Sequence, residues 1–172
     1  MFLNYLKNFS TKKIVKNNLS NVKHLASDKV IKTVGIIFDE TYFYEREDLV
    51  KELIQNGIEE KDIKVLVYKD KIKKNEVFDY PIFSHKDLSW HGTVDKKEVK
   101  NFIAEPFDLL INYYDTEKVA LLLVSNLSKA SFKVGFASID KRLNHFMIDT
   151  NAENYIVFMS ELFKYLKILN KI

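Results

Sequence analysis

A chain of 172 residues, 47% of them apolar, has the length and side chains for one domain with a sizeable core. It contains no cysteine, which excludes disulfides, thiolate metal sites and cysteine nucleophiles. Its net charge of +3 is unevenly placed: residues 1–32 carry seven lysines against Asp28 alone, for +6, and the remaining 140 residues sum to −3.

The opening stretch reads as a basic helical arm over residues 1–32. Phe2, Tyr5, Leu6 and Phe9 share one helical face. Ile14, Val15, Leu19, Val22 and Leu25 continue the spacing, and the lysines fall mostly between them. Lys7 interrupts the apolar residues of Met1 to Lys12 and no small-residue cleavage site follows, so the stretch does not read as a signal peptide. Val119 to Val124, the longest apolar run, falls far short of the roughly 20 residues a membrane helix needs. A soluble, cytoplasmic protein is expected.

From Val34 the period changes, and residues 33–172 read as one α/β domain. Val34 to Phe38 is a continuous apolar run, the mark of a strand buried on both faces. Leu49, Val50, Leu53 and Ile54 stripe a helix that Gly57 and Ile58 stop. Ile63 to Tyr68 is a second strand, and Tyr80 to Phe83, with its proline, a short edge strand. A short helix over Lys96 to Ala104 leads to a strand over Phe107 to Tyr114. Asp115 or Thr116 is expected to cap the next helix, Val119 to Leu127, which is apolar on nearly every side. Phe132 to Phe136 and Phe146 to Asp149 are further strands. Thr150 and Glu153 form the capping-box pattern ahead of a closing helix. Strands alternating with helices at this spacing predict a three-layer, mostly parallel, doubly wound sheet of Rossmann-like or flavodoxin-like topology.

Such sheets bind ligands at the carboxyl ends of their strands, where this chain has Asp39, Glu40, Asp70, Asp115 and Asp140. Asp39, Glu40 and Asp115 are therefore candidate ligand-edge residues, for a small ligand or a magnesium-dependent enzyme. The competing reading makes these acids helix caps. Four glycines leave neither a GxGxxG turn nor a GxxxxGK[ST] loop, no GxSxG elbow surrounds any serine, and the four histidines lack ligand spacing. No cofactor, metal or catalytic residue is therefore assigned. Trp90 and His91 sit in the turn-rich stretch from Phe83 to Thr93 and are candidates for gripping a partner.

Lys86 to Gly92, Phe107 to Tyr114, Phe132 to Phe136 and Tyr165 to Asn170 together resemble a family of small flavobacterial proteins known as a domain of unknown function. The resemblance implies a cytoplasmic protein and carries over no activity, cofactor or catalytic residue.

The arm is the strongest functional feature. Lys7, Lys12, Lys13, Lys16 and Lys23, interleaved with aromatics and asparagines, suit contact with RNA phosphates. A non-catalytic binding module associated with RNA or a ribosome is the leading expectation. A membrane-surface helix, a protein partner and a homo-oligomer built on the Phe2 to Phe9 face are the alternatives.

Overall fold

The computed structural model describes Lys13, residues 15–17, Leu19, and residues 29–41, 43–73, 75–89 and 92–172. Six parallel strands form one sheet: β1 (Val34–Asp39), β2 (Ile63–Tyr68), β3 (Ile82–Phe83), β4 (Leu109–Tyr113), β5 (Phe132–Phe136) and β6 (Phe146–Ile148). Their order is β3-β2-β1-β4-β5-β6, the doubly wound arrangement in which the chain reverses its direction of travel between β1 and β4. Every residue of β1, β4 and β5 is buried, which is why these strands read as largely apolar runs, broken only by Asp39, Asn112 and Lys133.

Helices α1 (Arg46–Gln55), α2 (Lys97–Ala104), α3 (Val119–Leu127) and α4 (Tyr155–Ile168) cover the sheet. Contacts pair α1 with α4 and α2 with α3, so two helices lie on each face. On the α1/α4 face, Tyr113 stacks on Phe38 and meets Phe43, Phe136 and Phe158 edge-on or tilted. On the opposite face Gly35 admits Phe107, whose ring would lie 2.7 Å from a Cβ at that position.

The ends of the helices follow local chemistry. Gly57 adopts φ +96°, and Ile58 N–H bonds back to the Leu53 carbonyl, closing α1 as expected. Asn170 at φ +52° closes α4 in the same manner, with Lys171 N–H donating to the Leu166 carbonyl. Two expected caps are not made. Helix α4 begins after Asn154 with no side-chain cap bond, so Thr150 and Glu153 stand in the turn before it. Helix α3 begins after Lys118, also uncapped, and neither Asp115 nor Thr116 reaches it. The capping box that does form is Ser84 with Asp87, on the short 3-10 turn after β3.

Within the arm, Lys13 and residues 15–17 are helical. Val15 and Leu19, 3% and 7% exposed, join the same core as the sheet. Ile31 N–H donates to the Lys171 carbonyl at 2.8 Å, so the start of the domain body is bonded to the end of the described chain. No helix among the described residues is long and apolar enough to cross a membrane.

Candidate functional site

The carboxyl ends of the strands form a crest on which nearly every acid already has a partner. Lys118, just before α3, is the hub. Its Nζ lies 2.8 Å from Asp39 Oδ2 at the end of β1 and 3.2 Å from Asp70 Oδ2 beyond β2. The same ammonium donates to Thr41 Oγ1 at 2.7 Å and sits 4.9 Å above the Tyr68 ring. Asp39 Oδ1 accepts from Thr41 N–H, which folds the turn after β1. Tyr68 donates its hydroxyl to Asp70, and burial together with that bond holds its pKa well above the usual tyrosine range. Around these groups lies a cavity of about 290 Å³, bordered by Tyr68, Asp70, His85, Glu117 and Lys118.

The two carboxylates that could have shared a divalent ion are thus drawn together by an ammonium. Among the described residues no group of three or more acids and histidines is placed to hold a metal. Glu40, the other acid at the end of β1, accepts from the Tyr80 hydroxyl and lies 3.5 Å from Lys69 and 3.7 Å from Arg46. Asp115 stands apart: its Oδ2 accepts Ala152 N–H across the gap to the loop after β6. Asp140 is gripped by Arg142 through Nε, Nη2 and the backbone, and those bonds lower its pKa to about 2. The candidates Asp39, Glu40 and Asp115 therefore share an edge without converging on one point.

Beneath the crest, between the sheet and α3, lies a buried polar network that local sequence pattern does not announce. Asn112 of β4 donates to Asn144 Oδ1 at 2.7 Å and accepts from Ser125 Oγ at 2.8 Å, and Ser125 meets the Tyr114 hydroxyl at 2.6 Å. Asn112, Ser125 and Asn144 are fully buried. Lys133 of β5, 3% exposed, donates to the Ser125 carbonyl, and burial lowers its pKa to about 8. The available signal is a lysine or asparagine inside an otherwise apolar strand run, where a polar residue must find a partner indoors.

Of the arm lysines, Lys13 is exposed, and Lys16 reaches Glu117 beside α3 at 2.6 Å. Lys7, Lys12 and Lys23 lie outside the described residues, as do Trp90 and His91. Lys16 thus ties the arm to the crest, a contact between residues a hundred positions apart.

A family of unknown function, DUF6913, matches residues 7–169. None of the curated proteins and none of the solved structures matches the chain.

Proposed function

The chain belongs to that family of unknown function, and we propose that it is a binding module rather than an enzyme, contacting RNA or a ribonucleoprotein through its lysine-rich arm. The observation that carries the reading is the split within the arm: Val15 and Leu19 are buried in the domain core while Lys13 is exposed. An amphipathic basic segment held by its apolar side presents ammonium groups outward in a fixed frame, which favours phosphate contact over a freely moving tail. Only Arg46 and Arg142 interrupt a lysine repertoire, so the contact is charge-driven and weakly sequence-selective. Such a role belongs in the cytoplasm. Lys16, paired with Glu117, anchors the arm and remains a candidate phosphate contact beside the other arm lysines.

The test is RNA binding by titration at several salt concentrations, with wild type and a Lys7, Lys12, Lys13 and Lys23→Gln variant. Affinity should fall steeply between roughly 50 and 200 mM salt, with a shallower slope in the variant. Salt-independent binding, or unchanged affinity in the variant, overturns the reading. Binding to anionic vesicles but not RNA replaces it with a membrane-surface role.

A second reading is favoured by the crest cavity, whose position suits a small polar ligand. Magnesium there would have to displace Lys118 from Asp39 and Asp70. Thermal shift decides it: stabilisation by inorganic phosphate that is present in wild type and lost in Lys118→Met, or stabilisation by magnesium chloride that is larger in Lys118→Met than in wild type, supports the ligand site. No stabilisation at millimolar concentration removes it.

A further inference from the structure

The sheet has an open lane on the outer side of β2. In β2 the residues whose backbone faces β3 alternate: Val67 N–H donates to the Pro81 carbonyl and Lys69 N–H to the Phe83 carbonyl. Val65 points the same way, two residues earlier. Continuing the parallel ladder would need an N–H at position 81 to meet the Val65 carbonyl, and proline has none. The ladder therefore stops, with β3 reduced to Ile82–Phe83. Among the described residues, neither the N–H nor the carbonyl of Val65 has a backbone partner on that side.

A groove of about 500 Å³ occupies the vacated lane, between β2, the segment 79–81 and α2. Its surface is mainly apolar, with Val65, Pro81 and Phe102, and it is bordered by Asp79, Glu98 and Glu105. Among the described residues, Lys64 is the one cation along it, and it is taken up by Glu105 at 3.0 Å. An exposed strand edge beside an apolar trough is the arrangement that accepts an added strand. The acids on its border select the charge of what enters.

We propose that this groove binds an extended peptide segment of a partner protein, rich in lysine or arginine alternating with apolar residues, as an added strand beside Val65. The backbone of the segment meets the Val65 N–H and carbonyl. Its apolar side chains lie against Phe102 and Pro81, and its cations face Asp79 and Glu98.

A hexapeptide of alternating valine and lysine is the probe, with its valine–glutamate counterpart as control. In the free protein the Val65 amide should exchange with solvent much faster than the Val67 amide. Adding the lysine peptide should protect Val65 and leave Val67 unchanged. Val65→Pro removes the outward N–H at an edge that tolerates proline and should weaken binding about tenfold or more, whereas Val65→Thr keeps the N–H and should bind normally. Asp79→Lys with Glu98→Lys should reverse the preference toward the glutamate peptide. If Val65→Pro does not fold, amide exchange on the wild type decides alone. Equal binding of both peptides, or no protection at Val65, overturns the proposal. So does protection of Val65 that rises with protein concentration in the absence of peptide, which assigns the groove to a second copy.

Discussion

Lys133 carries its charge into the core, where, among the described residues, the Ser125 backbone carbonyl is its hydrogen-bond acceptor. Burial lowers its pKa from the ordinary 10.5 to about 8. Below the lower value both folded and unfolded chains hold the proton, and the buried charge costs stability in full. Between the two values the unfolded chain keeps the proton and the folded chain releases it, so stability rises with pH, by about 3 kcal/mol in all. Tyr113 and Tyr114, whose pKa values burial raises, act in the opposite sense above about pH 10. Urea denaturation at about pH 8 and about pH 10 should show about 2 kcal/mol of this gain in wild type and lose it in Lys133→Met. A neighbouring position in the same strand is just as constrained. A Cβ on Gly135 would stand 2.6 Å from Asn144 Nδ2, so Gly135→Ala should cost about 2–3 kcal/mol by pushing Asn144 off Asn112. Adding Asn144→Ala should recover part of that loss in the same measurement. Both residues stood in plain view within Phe132 to Phe136, read only as a strand. Nothing local indicates that Asn144, nine residues on from Gly135, fills the space the glycine leaves.

At the level of the elements, strands were easier to read than helix starts. An apolar run needs only burial to become a strand, and burial is what composition reports. A helix start depends on which of several polar residues wins a competition for the first amides. Asp115 loses that competition because Ala152 N–H, on another loop, claims its carboxylate. Lys118 then occupies the N-cap of α3, a poor place for a cation beside a helix dipole, and is held by Asp39 and Asp70. The arm shows the opposite balance: helix is present at Lys13 and residues 15–17, where the spacing predicts it, while the docking was not legible, since that rests on Val15, Leu19 and the distant Glu117. Replacing Val15 and Leu19 together by alanine should free the arm at a cost of about 2–5 kcal/mol. Limited proteolysis should then cut within residues 1–30 much faster than in wild type, while the far-ultraviolet signal of the sheet persists.

For the molecule as a whole, alternating strands and helices sufficed to foresee the doubly wound sheet, because short crossovers between parallel strands leave few topologies open. The charged crest was half legible. Its acids follow from their positions after strand runs, yet the pairing of Asp39 and Asp70 with Lys118, and of Glu40 with Lys69, joins segments that only the assembled sheet brings together. The bond between Ile31 N–H and the Lys171 carbonyl has a practical corollary. The seam it makes lets the order of the segments be rearranged without disturbing their packing. A circular permutant that links Ile172 to Lys29 through a few glycines and opens between Lys73 and Asn75, in the charged loop after β2, should fold with a melting temperature within about 10 °C of the parent domain. The arm, cut loose from that corner, could then be re-attached at the new opening, away from its native point of entry, to ask whether RNA binding depends on where the lysines are moored.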